Sequence, residues 1–205
     1  GSPCPIKVMQ DVIEKMHMPE ITITFGQTEA SPGCTMTRTD DSLEKRVATV
    51  GRALPGVECK IINTETGETV GPGVVGEFCA RGYNIMKGYY KMPEATAMAI
   101  DKDGWLHTGD LALKDAEGNI TIKGRSKNLL LSASGQNIYP EEIEDKLNNL
   151  PYVAESIIVQ QNEKLVGLVY PDFDDAFAHG LKNEDIERVM EENRVALNAM
   201  LPAYS

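Results

Sequence analysis

Between residues 124 and 144 the chain reads GRSKNLLLSASGQNIYPEEIE, and this stretch constrains the fold more than any other. The basic residues Arg125 and Lys127 run into a strand-like leucine series, a glycine turn follows, and Pro140 opens an acidic helix start. Proline suits a first helical turn because its missing N–H has no partner there anyway, and Glu141 and Glu142 lie near the positive end of the helix dipole. Beyond this point the units are short and alternate. They are the strand NLLLS, the turn ASGQN, the helix from Pro140, the strands AESIIVQ and KLVGLVY, and a long helix from about Asn183. In that last helix Ile186, Val189, Met190, Val195 and Leu197 mostly keep helical spacing, with Asn183 as the expected cap. The change of texture predicts two domains, 1–127 and 128–205, divided at Lys127, the second an α+β unit.

Upstream, residues 5 to 18 predict a helix with Ile6, Met9, Val12, Ile13 and Met16 on one face. ITITFGQTE then alternates Ile21, Ile23 and Phe25 with threonines until Gly26 breaks the run. Gln27, Thr28 and Glu29 therefore stand at a strand exit, where α/β proteins put their ligands. From Val57 to Arg81 the pattern turns to β, with VECKIIN and GEFCAR flanking a glycine- and proline-rich loop. A short helix from Pro93 and the hairpin LALKDAEGNITIKGR complete this part.

Charge narrows the partners. Thirty-one acidic against twenty basic residues give a net charge of -11, a field that repels nucleic acid and anionic membrane surfaces. Cys4, Cys34, Cys59 and Cys79 show no paired spacing and the three histidines are scattered, so neither a zinc site nor a disulfide framework is indicated. With no apolar run of bilayer length and no charged leader before an apolar core, a cytoplasmic location is the expectation.

Three constellations could carry chemistry. In FGQTE, Thr28 can donate to a phosphate oxygen, Glu29 can hold a hard cation such as magnesium, and Phe25 can offer a ring face to a base; ordinary loop residues are the bland alternative. In GWLHTGDLA, Asp110 can accept from the vicinal hydroxyls of a ribose or merely cap a turn through its own backbone, and His107 reads as a packing or turn residue. In the opening stretch Arg125 presents a planar donor fork for sugar or phosphate oxygens, and Gly135 permits a close approach or a left-handed turn.

In this order, FGQTE, TGD and GRSKNLLLSASGQNIYPEEIE resemble the patterns of the adenylate-forming acyl-CoA synthetase family, the AMP-forming ligases related to luciferases and peptide-synthetase adenylation domains. GEFCARGYNIMKGYYKMPEAT fits the family's intervening stretch, so the likeness runs along essentially the whole chain. It implies an α/β plus α+β fold: the end of the large AMP-binding domain, then a small, mobile, incomplete C-terminal domain. It also implies an enzyme that activates a carboxylic acid with ATP and magnesium as an acyl-adenylate, then passes the acyl group to CoA. By this resemblance Phe25 stacks on adenine beside Gly26 and Gln27, and Thr28 meets the α-phosphate or acyl carboxylate. Glu29 binds magnesium, Asp110 and Arg125 hold the ribose, and Ser2, next to Gly1, lines the base pocket. Lys127 becomes the hinge and Gly135 lines the CoA tunnel.

Two residues depart from the family pattern: Phe25 stands where tyrosine is common, and Asn128 where many members are acidic. A phosphate loop ending in Pro-Lys-Gly and a lysine after a C-terminal glycine are not found, so the chain resembles a fragment unable to complete adenylation alone. The small residues after GQTE suggest a medium- or long-chain fatty acid. A carrier protein in place of CoA, and a non-catalytic nucleotide-binding module, are the competing readings.

Overall fold

The computed structural model describes residues 6–132, 135–162 and 164–201. Contacts divide the chain into two compact units, Gly1–Lys127 and Asn128–Ser205.

In the first unit, helix α1 (Ile6–Lys15) precedes a three-stranded antiparallel sheet of β1 (Thr24–Gly26), β2 (Gly33–Met36) and β3 (Arg52–Ala53), with helix α2 (Leu43–Ala48) between β2 and β3. A second sheet is a consecutive antiparallel meander of β4 (Val57–Ile62), β5 (Gly76–Gly82), β6 (Leu106–Lys114) and β7 (Ile120–Arg125), with helix α3 (Pro93–Ala99) preceding β6. Val50 N–H donates to Ile120 O and Ile120 N–H to Gly51 O, joining the start of β7 to the lead-in of β3. Phe78, Ile61, Ala80, Leu106, Ala112 and Ile120 are fully or almost fully buried and form the centre of the core. Burying one such large side chain contributes about 1.5–3 kcal/mol, and Phe78 lies in the middle of this set.

β1 is shorter than the alternation of ITITF predicts. The carbonyls of Pro19 and Ile21 are taken, at 2.7 Å each, by the buried Arg46 guanidinium, so this backbone is held by a side chain rather than by a neighbouring strand. Ile23 continues the pairing irregularly, exchanging bonds with the backbone and hydroxyl of Thr37.

The second unit opens with the hairpin β8 (Leu130–Leu131) and β9 (Asn137–Ile138), only two residues long on each side; Asn128, expected in the strand, instead ends a 3-10 turn, Ser126–Asn128. Helix α4 (Pro140–Asn148) leads to the antiparallel pair β10 (Val153–Gln161) and β11 (Lys164–Pro171). A short helix that the sequence pattern did not predict, α5 (Phe173–Ala178), is capped by Asp172, whose carboxylate accepts from Asp175 N–H. Helix α6 (Asn183–Met200) starts at Asn183 rather than being capped by it; Asp185 in its first turn accepts from Lys182 N–H at 3.1 Å. Ile138, Ile143, Leu147, Ile158 and Leu197 make a small core of their own. Beside it lies an open cavity of about 910 Å³ lined by Leu165, Val169, Ile186 and Met190 among others. No helix among the described residues is long and apolar enough to cross a membrane.

Candidate functional site

The first two constellations meet at β5. Phe25, at the end of β1, sets its ring edge-on to Phe78, with centroids 5.4 Å apart and an interplanar angle of 90°. Gly26 then passes so close to the Pro32 carbonyl that a Cβ would sit 1.7 Å from its oxygen, which excludes every other residue without backbone movement. Gln27, extended, leads into a 3-10 turn, Thr28–Ala30, that leaves Thr28 exposed and Glu29 half-buried.

This turn is fastened from the segment after β5. Asn84 donates through Nδ2 to Ala30 O at 3.0 Å and to Gly33 O at 2.7 Å, Met86 N–H donates to Glu29 O, and the Tyr89 hydroxyl donates to Glu29 Oε1 at 2.7 Å. The hydrogen bond to this carboxylate holds the Tyr89 hydroxyl above the ordinary tyrosine range. Asn84 and Tyr89 carry no signal in the sequence that marks them as partners of FGQTE, because the contact depends on where the loop after β5 folds back.

HTGD does not form a turn. It lies within β6, where one residue of β5, Phe78, stands opposite three of β6, Thr108, Gly109 and Asp110. Such a bulge unpairs backbone groups and re-aims a side chain. Here side chains replace the missing ladder bonds. Thr108 Oγ1 donates to Phe78 O at 2.7 Å, and Gly109 N–H donates to Glu77 Oε1 at 3.0 Å. Gly109 has φ +71°, a left-handed conformation that glycine adopts without the steric cost of a Cβ.

Asp110 is 6% exposed and faces Arg125, its partner across β6 and β7; Arg125 Nε lies 3.0 Å from Asp110 Oδ1 and Nη1 donates to Thr108 O. The two residues expected to hold a ribose are thus adjacent, with Arg125 about half exposed.

His107, read from the sequence as a packing or turn residue, is wedged between acids. Its Nδ1 lies 3.0 Å from Glu77 Oε2 and its Nε2 3.7 Å from Asp101 Oδ2. Cys79 Sγ is 3.8 Å from the same Nδ1, so Glu77, Cys79 and His107 bring donor atoms within 4.8 Å of one another. Scattered spacing gave no hint of this cluster, which pairing across a sheet assembles. Both Glu77 oxygens already have partners in Gly109 N–H and His107. Burial first, and the Glu77 charge second, push the Cys79 thiol up to about 12. Burial also raises Cys34, to about 11, with the Asp110 charge adding to it. These thiols are therefore poor nucleophiles, since the thiolate is the reactive form.

The remaining expected residues lie elsewhere. Ser2 is outside the described residues. Lys127 is exposed in the 3-10 turn Ser126–Asn128 at the border of the two units. Gly135, in the second unit, is exposed at φ +79°, its N–H donating to Ser132 O, with nothing within 4 Å of where a Cβ would stand.

Comparison with known proteins gives concordant matches. The model of the AMP-binding enzyme family matches residues 1–90. The protein YngI of Bacillus subtilis (strain 168) is 54% identical over 159 residues, 78% of this chain and 29% of that protein. Medium-chain acyl-CoA ligase ACSF2, mitochondrial, of Bos taurus is 40% identical over 82% of this chain and 27% of its own length. The chain therefore spans under a third of these curated relatives. Among solved structures, the ATP-bound RpMatB-BxBclM chimera B1 superposes with a TM-score of 0.79 at 28% identity, over all of this chain and 39% of that one. O-succinylbenzoate coenzyme A synthetase (MenE) from Bacillus subtilis, in complex with AMP, does so with a TM-score of 0.71 at 26% identity, over 94% of this chain and 38% of that one.

Proposed function

Because the chain belongs to the AMP-binding, adenylate-forming enzymes, we propose that it supplies the nucleotide-holding end of an ATP-dependent acid–thiol ligase, followed by the start of that enzyme's small domain. In the reaction a carboxylate oxygen attacks the α-phosphorus of ATP, and the bond to the bridging oxygen breaks to release pyrophosphate. The sulfur of CoA then attacks the acyl carbon, losing its proton, and AMP departs with its phosphate oxygen.

The observation that carries this reading is the convergence on β5. Phe25 packs on Phe78 and Thr108 bonds the Phe78 carbonyl, while Asn84, just past the end of β5, pins the FGQTE turn, so β5 and the segment after it back the base-facing, ribose-facing and phosphate-facing groups alike. Asp110 accepts from the two ribose hydroxyls, with Arg125 alongside. Phe25, flanked by Gly26 and Gln27, offers adenine the part of its half-buried ring that Phe78 leaves open. The exposed Thr28 hydroxyl donates to an α-phosphate or acyl carboxylate oxygen.

Glu29 fits magnesium: it is a hard oxygen donor, half-buried on a fixed turn, and Tyr89 steadies one of its oxygens. The ion, when bound, would neutralise phosphate charge. Lys127 serves as the hinge, and Gly135, whose surroundings are open, lines the passage for CoA.

A medium- or long-chain fatty acid is the proposed substrate. The small residues Ala30, Ser31, Pro32 and Gly33 after GQTE and the likeness to a medium-chain acyl-CoA ligase support it. The test is AMP release by the full-length enzyme carrying this chain, given ATP, magnesium, CoA and acids from acetate to long fatty acids. CoA-dependent release that peaks with medium or long chains is expected. Release with short or aryl acids alone would overturn the substrate, and none across the panel would overturn the activity.

A further inference from the structure

We propose that Glu77 is a positioning residue for Asp110, and that His107 holds Glu77 in that role. The inference rests on the reading of Asp110 as the ribose-holding carboxylate. At the bulge of β6 the Gly109 N–H has lost its place in the ladder, and Glu77 Oε1, at 3.0 Å, is the acceptor that replaces it. Gly109 immediately precedes Asp110 and sits at φ +71°, so its rotation would swing the carboxylate. The Gly109 N–H bond thus joins the Asp110 N–H bond to Thr108 Oγ1 and the Arg125 ion pair in setting where Asp110 points.

Glu77 is itself held. Its second oxygen meets His107 Nδ1 at 3.0 Å, giving the line His107–Glu77–Gly109–Asp110, and the other ring nitrogen faces Asp101 Oδ2 at 3.7 Å, beyond hydrogen-bond distance. Asp101 is anchored in turn by accepting from the Asp103 and Trp105 N–H groups, each at 2.9 Å. None of Asp101, His107 and Glu77 is assigned a contact with nucleotide in the proposed site. Their effect passes through the backbone at Gly109.

The experiment compares AMP with 2′,3′-dideoxy-AMP by equilibrium binding to the full chain. In the unaltered protein, hydrogen bonds from the two hydroxyls to a charged acceptor should favour AMP by about tenfold or more. Asp110→Ala should abolish this preference. Glu77→Ala should reduce the preference toward unity while binding of the dideoxy compound persists, a pattern that general loss of structure would not produce. Glu77→Gln keeps an acceptor for Gly109 and should retain most of the preference. Where Glu77→Ala fails to fold, Glu77→Asp decides the matter, because it keeps the charge and withdraws the oxygen. His107→Ala should give an intermediate preference.

No preference in the unaltered protein would overturn the ribose reading and this inference with it. A clear preference that survives Glu77→Ala or Glu77→Asp would overturn this inference alone.

Discussion

The bulge in β6 and the hairpin turn at Gly135 both present a glycine at positive φ, yet they are built in opposite ways. At the bulge, Gly109 lies between a buried Phe78 carbonyl taken by Thr108, a carboxylate taking its own N–H, and an Arg125 side chain 3.7 Å from where a Cβ would stand. At the turn, Gly135 N–H donates to Ser132 O and, among the described residues, open space lies where a Cβ would stand. The difference separates two uses of a left-handed residue: one aims a neighbouring carboxylate within a packed sheet, the other leaves room beside the backbone. The proposed nucleotide residues draw on the first arrangement and the proposed CoA-facing glycine on the second.

This contrast is sharpest at the core. Phe78→Ala should cost about 3–5 kcal/mol, because it removes a fully buried ring against which Phe25 packs. Denaturant unfolding followed through Trp105, in the same unit, measures it. A cost below about 1 kcal/mol would show that β5 is not the rigid strand on which the site depends.

Gly135→Ala should be milder, about 1–2 kcal/mol of backbone strain with no clash. In the full-length enzyme it should slow acyl transfer to CoA while acyl-adenylate formation, followed by pyrophosphate release, stays near its original rate. Equal slowing of both steps would remove the distinction between the two glycines.

The smallest effect belongs to the second unit. Burial raises the Asp145 carboxyl above its ordinary value, the neighbouring Glu142 adds to this, and Lys146 opposes it. A carboxyl whose folded pKa is raised favours the folded state when protonated, so stability falls as pH rises through the carboxylate range. Asp145→Asn should therefore raise the melting temperature slightly at neutral pH, and the gain should vanish when the medium is acid enough to protonate the aspartate. A gain independent of pH would assign the effect to something other than ionisation.

Much of this was legible in the residues. The pairs β4–β5 and β6–β7 follow from β patterning around glycine-marked turns, the strands β10 and β11 from their apolar runs, and α3, α4 and α6 from proline or polar starts and helical spacing. Phe25, Thr28, Glu29, Asp110 and Arg125 were named from local patterns alone. The partners Glu77, Asn84, Tyr89 and Asp101 were not. Glu77 sits thirty-two residues from Gly109, and simple alternation across a hairpin cannot reveal that Phe78 faces three residues instead of one. The truncation of β1 was hidden for a similar reason: Arg46 reaches back twenty-five residues to take the Ile21 carbonyl.

The two surplus residues in β6 also bear on chain length. Side chains alternate across a sheet with a period of two, so an insertion of two leaves every later residue on its original face. Leu106, Thr108, Asp110 and Ala112 are buried through and beyond the irregularity, and so is Leu111 on the other face. Removing a single residue between Thr108 and Asp110 would turn one flank of the strand inside out. Removing two would restore one-to-one pairing with β5, leave the irregularity toward β7 between Leu111 and Ala112, and lose the carboxylate.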